Sequence, residues 1–261
     1  MISPVFTLHK TPRLTLVGAG PGDPELITLK GVNALKTADV VLYDALVSEE
    51  ILQLIPQDIP ALSVGKRAGL HEFTQDAINE LIVEFAYLYG HVIRLKGGDS
   101  FVFGRGSEEI EYAEAHGVNT AVIPGVSSAL AVPASVNIPV TARGISESFW
   151  VVTGTTKTGE ISGDIALAAQ SKATVIILMG LSKIKEIMSL FQQHGKSETP
   201  VAVIQNGTMP NQVNVIGTVS TIATAAAIEK VGPPAIIVIG EVVRHAQALK
   251  TVMRDAVGHY Q

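Results

Sequence analysis

RLTLVGAGPGDPELITLKG, residues 13–31, joins an apolar run to a glycine-rich turn and then to a stretch of helix formers. Such a join is the repeating unit of an α/β fold: the strand is buried, and the turn bends the chain into the helix that covers it. The unit recurs along the chain. Further runs are ADVVLYD (38–44), HVIRLKGGD (91–99), TAVIPG (120–125), SFWVVTG (148–154), ATVIILMG (173–180), PVAVIQNG (200–207) and PAIIVIG (234–240). Near-continuous apolar strands alternating with helices predict a mainly parallel sheet buried on both faces. One helix is easily read: in FTQDAINELIVEFAYLYG, Ile78, Leu81, Ile82, Phe85 and Ala86 repeat at helical spacing behind a Thr74 cap. Eight strands are many for one sheet in 261 residues, and IPVTARGISES (138–148) has a linker's composition. The expectation is two α/β domains with mainly parallel or mixed sheets, residues 1–141 and 142–261.

Composition removes several classes of function. The chain is 47% hydrophobic and only 16% charged, which is the composition of an ordered globular protein. It has no cysteine, so disulfides, zinc–thiolate sites, iron–sulfur clusters and thiol nucleophiles are all excluded. Its seven histidines show no metal-ligand spacing, and no metal is expected. The longest apolar runs, such as ATVIILMGL (173–181), fall well short of the roughly 20 residues that span a bilayer. MISPVFTLHKTPRL carries no sustained apolar segment, so a soluble, cytoplasmic protein is expected. A net charge of −5 gives no support for nucleic-acid binding.

The turns themselves carry the chemistry. GAGPGD matches a dinucleotide loop only in part. Gly18 and Gly20 fit, but Asp23 stands at the third glycine position and Pro21 removes an N–H that a pyrophosphate would use. Asp23, Pro24 and Glu25 read as an N-cap, a first-turn proline and a first-turn acid opening the helix LITLKGVNALK (26–36). Those acids would repel a phosphate and suit a cationic ligand. KGGDSFVFGRG (96–106) places Gly97, Gly98 and Asp99 at a strand's C-terminal end, the edge where open parallel sheets bind ligands. PGVSSA (124–129) adds Ser127 and Ser128, and later strands end in Met179–Gly180 and Asn206–Gly207. One such turn is ordinary punctuation, whereas five suggest an extended ligand. Basic residues stand in the same loops: Lys66 and Arg67, Arg105, and Arg143. They are either solvated surface charges or a pocket for a substrate with carboxylates or phosphates. Asp44, ending VVLYD, is either a cap or a general base.

VGAGPGDPELITLKG, VVLYDALVSEEIL, VGKRAGLH, RLKGGDSFVFGRGSEE, IPGVSSA, IPVTARG and PAIIVIGEVV follow in this order and resemble the S-adenosylmethionine-dependent tetrapyrrole methylases from about residue 12 to 250. The resemblance implies two α/β domains holding S-adenosylmethionine in the cleft between them, usually as a homodimer. The N-terminal domain would carry the substrate and catalytic loops. The implied activity is two successive methyl transfers to uroporphyrinogen-III, giving precorrin-2 for sirohaem or cobalamin synthesis and releasing S-adenosylhomocysteine. By the same resemblance Pro21, Gly97, Gly98, Asp99, Val102, Ser127, Ser128, Met179 and Gly207 contact the cofactor. Asp44 is the proton acceptor and Lys66 the proton donor. Arg67, Arg105 and Arg143 meet substrate carboxylates, and Glu108 either orients Arg105 or meets a pyrrole N–H. A sulfonium without phosphates agrees with the acids of GAGPGD.

Three positions depart from the family pattern. Ser100 replaces a common proline, Ala45 a common arginine and Ala142 a common histidine. The first should loosen its loop, and the other two bear on the substrate side. Sibling methylases acting on later corrins, diphthamide precursors or ribosomal RNA are disfavoured by GKRAG together with FGRG. A nicotinamide oxidoreductase using VGAGPGD, and a non-catalytic tetrapyrrole-binding protein, are the readings from other classes.

Overall fold

The structure, a computed structural model, describes residues 10–65 and 73–246. The chain divides into two compact units, Met1–Ser127 and Ser128–Gln261. The composition placed the divide near residue 142. Packing places the helix before it with the second unit, because its Ala129 and Val132 are buried in one apolar cluster with Ile176, Ile236 and Val238.

The first unit runs β1 (Arg13–Gly18), α1 (Leu29–Leu35), β2 (Val40–Tyr43), α2 (Glu49–Leu52), β3 (Ala61–Ser63), α3 (Gln75–Tyr89), β4 (His91–Lys96), α4 (Gly106–Ala115) and β5 (Asn119–Ile123). Its five strands lie in the order β3-β2-β4-β1-β5 and every pair is parallel. Both faces are covered. Leu14 and Leu16 of β1 pack with Ile78, Ile82 and Ala86 of α3, while Val17 packs with Leu35 of α1, Ile51 of α2 and Ile93 and Leu95 of β4. This arrangement explains why the strands read as continuous apolar runs. In a parallel sheet all C-terminal ends fall on one edge, so the turns after β1, β2, β4 and β5 are neighbours by topology.

Thr74 caps α3 through the Ala77 N–H at 3.1 Å, as its sequence predicts. The first helix is shorter than expected. Asp23 caps only a single 3-10 turn, Pro24–Leu26, by accepting from the Glu25 N–H. Ile27 is then extended, and Thr28 starts α1 afresh by accepting from the Gly31 N–H at 3.0 Å. A second Ser/Thr cap within the stretch overrode the continuous helical pattern.

The second unit runs α5 (Ser128–Ser135), β6 (Phe149–Thr153), α6 (Asp164–Gln170), β7 (Thr174–Leu178), α7 (Ile184–Gln193), β8 (Pro200–Gln205), β9 (Val213–Thr218), α8 (Ile222–Ile228) and β10 (Ala235–Ile239). Its sheet has the order β6-β7-β10-β8-β9. Here the mixed form of the expected sheet is the one found: β6–β7 is parallel and the other three pairs are antiparallel. The β8–β9 connection, residues 206–212, is too short for a parallel crossover, which takes a dozen or more residues. Alternate β10 residues serve two layers. Ile237 and Ile239 pack with Ile187 and Phe191 of α7, whereas Ile236 and Val238 face Ala129 and Val132 of α5.

Candidate active site

Three glycine turns spread over more than a hundred residues, from Gly18 to Gly125, meet at the C-terminal edge of the first sheet. Gly20 and Gly98 form a two-way backbone bridge, Gly20 N–H to the Gly98 carbonyl at 3.1 Å and Gly98 N–H to the Gly20 carbonyl at 2.6 Å. A Cβ on Gly18 would lie 2.4 Å from the Gly125 nitrogen, and one on Gly125 would lie 2.2 Å from the Gly98 carbonyl oxygen. Only hydrogen fits between these backbones. Asp99 ties the turns together, its Oδ2 accepting from the Gly125 N–H at 3.1 Å and its Oδ1 from the Phe101 N–H at 2.9 Å. The Val102 N–H then donates to the Asp99 carbonyl at 3.2 Å. The result is a cradle walled by backbone, with half-buried Pro21 on the β1 turn and half-buried Ser127 on the β5 turn.

Of the expected cofactor-contacting residues, the first unit thus gathers Gly97, Gly98, Asp99 and Val102 on the β4 turn beside the turns carrying Pro21 and Ser127. Ser128 opens α5, and Met179 and Gly207 end β7 and β8 in the second unit. Met179 holds a left-handed backbone, φ 55°, and is 52% exposed. Gly207 has a packing reason of its own, since a Cβ there would lie 2.3 Å from Val132 of α5. Non-glycine residues with positive φ concentrate in these loops: Phe103 and Arg105 after β4, Met179 after β7, Asn206 and Thr208 after β8. Backbone held in this sparsely populated region is typical of loops shaped for a ligand. The Ser100 carbonyl accepts from the Gly106 N–H at 3.1 Å, and its buried Oγ has no partner among the described residues.

Asp44 leaves the same sheet edge at the end of β2, its side chain 27% exposed. Arg94 Nη2 donates to its Oδ1, and Lys96 Nζ lies 3.8 Å from its Oδ2. Asp44 is therefore an ion-paired carboxylate at the mouth of a buried network. Arg94, Lys96 and the α4 residue Glu109 complete that network, and none of the three is singled out by the sequence reading. Burial pushes the Lys96 ammonium below the ordinary lysine value, with Arg94 adding to the effect and Glu109 and Asp44 opposing it.

Lys66 and Arg67 lie outside the described residues. Gly65 just before them is packed against the residue that follows Asp44: a Cβ on Gly65 would lie 2.1 Å from the Ala45 nitrogen. Arg105 sits at the N-cap of α4 and pairs with Glu108 through two bonds, Nε–Oε1 at 2.9 Å and Nη2–Oε2 at 2.6 Å. That fork raises the already high affinity of Arg105 for its proton. Glu108, expected either to orient Arg105 or to meet a pyrrole N–H, is thus paired with Arg105. Arg143 is exposed in the turn closed by the Ala142–Ser146 bridge of the second unit and has no ion-pair partner among the described residues.

The cradle fits a cationic, phosphate-free ligand. It is lined by glycine backbone and flanked by Asp23 and Asp99, with no lysine or arginine directed at it in the hydrogen bonds and ion pairs of the described residues. No helix among the described residues is long and apolar enough to cross a membrane.

Comparison with known proteins agrees with this geometry. The family described as Tetrapyrrole (Corrin/Porphyrin) Methylases matches residues 13–223. The chain is 47% identical over 235 residues to the uroporphyrinogen-III C-methyltransferase of Methanocaldococcus jannaschii, covering 89% of this chain and 97% of that one. It is 46% identical to the siroheme synthase of Actinobacillus pleuropneumoniae over 94% of its own length, and spans about half (50%) of that longer protein. Among solved structures, the uroporphyrin-III C-methyltransferase of Thermus thermophilus complexed with S-adenyl homocysteine is similar with a TM-score of 0.76 at 38% identity, over 89% of this chain and 99% of that one. A cobalt precorrin-4 methyltransferase of cobalamin biosynthesis gives a TM-score of 0.79 at 27% identity, over 88% of this chain and 95% of that one. With the family match spanning most of its length and a near-full-length relative at 47% identity, the chain belongs to the tetrapyrrole (corrin/porphyrin) methylases.

Proposed function

We propose that this chain is an S-adenosylmethionine-dependent C-methyltransferase that methylates uroporphyrinogen-III twice, by way of precorrin-1, to give precorrin-2. The observation that carries this reading is the placement of the glycine cradle and the ion-paired Asp44 on one edge of one parallel sheet. The names of the two full-length C-methyltransferase relatives support the substrate.

When bound, S-adenosylmethionine supplies a methyl group already activated on a positive sulfur. The chain's own task is then mostly orientation. The Gly18–Gly98–Gly125 contact and the Asp99 bonds hold the turns rigid, and Pro21, Gly97, Val102 and Ser127 are assigned to the cofactor. Ser128, Met179 and Gly207 of the second unit carry the same assignment. An electron-rich pyrrole carbon forms the new carbon–carbon bond as the carbon–sulfur bond breaks, and the bonding pair leaves with sulfur. A proton must then leave the macrocycle, and Asp44 accepts it. Lys66 is assigned as proton donor in the accompanying tautomerisation, any proton it gives being matched by a further one withdrawn so that one proton net leaves per methyl gained, while Arg67, Arg105 and Arg143 meet substrate carboxylates. We extend the same reading to a cytoplasmic homodimer that takes neither nucleic acid nor membrane as partner.

The test is anaerobic incubation of the full chain with uroporphyrinogen-III and S-adenosylmethionine, followed by mass analysis of the tetrapyrrole. Two added methyl groups are expected. No added methyl group, or stabilisation of the chain by NAD(P)H and not by S-adenosylhomocysteine, would overturn the proposal.

A further inference from the structure

Central strand β4 carries two cations into the interior of the first unit. Arg94 and Lys96 are two residues apart, hence on one face of the strand, and their side chains are 2% and 4% exposed. Their outer ends meet Asp44. On the other side they meet Glu109, which is fully buried on α4: Arg94 Nε and Lys96 Nζ both donate to its Oε1, at 3.2 and 2.9 Å. Gln75 of α3 donates to the same oxygen at 3.3 Å, and Glu109 Oε2 is buried with no partner among the described residues. Arg105 at the N-cap of α4 and Asp76 in the first turn of α3 add their charges, Arg105 sensing both Glu109 and Asp76.

Stability alone does not account for such a cluster, because well-packed apolar residues of similar volume serve a core as well or better. Its two ends are also unequal. Asp44 reaches solvent at the sheet edge, while Glu109 cannot. Two cations facing Asp44 without a counter-charge would hold it as a carboxylate so firmly that it would accept a proton poorly. Glu109 draws on the same two cations from behind and divides their field.

We propose that Arg94, Lys96 and Glu109 are positioning residues for the methyl transfer. The two cations aim the Asp44 carboxylate, and the buried Glu109 offsets part of their charge so that Asp44 can take up a proton. This rests on Asp44 being the proton acceptor.

The experiment is the pH dependence of kcat for methylation of uroporphyrinogen-III by the full chain, with calorimetric titration of S-adenosylhomocysteine alongside. Asp44→Asn tests the underlying reading alone: retained activity would remove Asp44 as base whatever the other variants do. Given an inactive Asp44→Asn, Lys96→Met should move the acid limb to higher pH by about one unit or more, since it removes an opposite charge within about 4 Å. Glu109→Gln, which keeps the shape, should move it the opposite way and lower kcat at neutral pH. The double variant Lys96→Met/Glu109→Gln should return the limb towards its original position, with cofactor affinity unchanged throughout. A purely structural role predicts no opposed shifts. Single variants that leave the limb unmoved, or move it in the same direction, would overturn the proposal. If one single variant does not fold, the other decides: a limb shifted in its stated direction supports the proposal, and an unmoved or oppositely shifted limb refutes it.

Discussion

Adding one methyl group at Gly125 gives the sharpest test of the cradle. In Gly125→Ala the new Cβ would lie 2.2 Å from the Gly98 carbonyl oxygen and 2.7 Å from Gly18 Cα. Ordinary contact begins at 3.4 Å, so backbone must separate by more than 1 Å. No flexible side chain can absorb the clash, because every atom met belongs to the main chain. The bonds at risk are the Gly20–Gly98 bridge and the Gly125 N–H to Asp99, at 2.6 to 3.1 Å. Overpacking of this kind costs about 1–3 kcal/mol. A displacement of about 1 Å at a positioning site costs roughly 10²-fold in rate. If the overpacking strain is relieved only by opening the turns, calorimetric titration with S-adenosylhomocysteine should show the dissociation constant rising by roughly tenfold or more, and thermal unfolding should show a lowered Tm. Gly163→Ala, where an added Cβ meets nothing within 4 Å, is the control and should leave affinity unchanged. A folded Gly125→Ala protein with the original affinity would refute the assignment of the three turns to the cofactor.

Three further outcomes follow from other parts of the molecule. Phe191→Ala empties a site only 1% exposed under the second sheet and should cost about 3–5 kcal/mol in urea unfolding; a cost under about 1 kcal/mol would contradict the packing of α7. Burial pushes the His91 imidazole below its ordinary 6.5, Arg13 adding to this while a Thr37 hydrogen bond and the Asp39 charge oppose it. The unfolded chain therefore takes up that proton first, so His91's contribution is complete above about pH 6.5 and is lost as pH falls below it. Urea midpoints from about pH 7.5 to about pH 5.5 should fall less in His91→Gln than in the parent, and equal slopes would count against it. Arg105→Ala removes a half-exposed ion pair worth at most about 1 kcal/mol, so stability should hardly change, while KM for the tetrapyrrole should rise with cofactor affinity intact; an unchanged KM would remove Arg105 from the substrate side.

Much of the fold was readable because its signals are local. All eight apolar runs are strands, and Thr74 marks the start of α3. The two strands passed over are β3, only Ala61–Ser63, and β9, whose VNVIGT mixes polar residues into an edge strand. Strand direction in the second sheet was not readable, since an apolar strand buried on both faces looks the same whichever way its neighbours run. The buried charges were missed for a related reason. In HVIRLK the alternation of Arg94 and Lys96 resembles a solvated face, and only the position of β4 in the middle of its sheet makes both residues interior. Glu109 was readable in principle. It shares the buried phase of α4 with Gly106 and Ala113, whereas Glu108 points outward to Arg105.

By itself the sequence determined where strands end, which turns need glycine and which residue types stand at those turns. Those properties depend on side-chain period and backbone freedom over a few residues. Tertiary structure alone decided the partners. Asp44 and Arg94 are 50 residues apart, Asp99 and Gly125 are 26 apart, and the Gly18–Gly98–Gly125 contact spans most of the first unit. They meet because β2, β4, β1 and β5 lie parallel and adjacent, and that order is set by the packing of whole strands and helices rather than by any stretch of the chain.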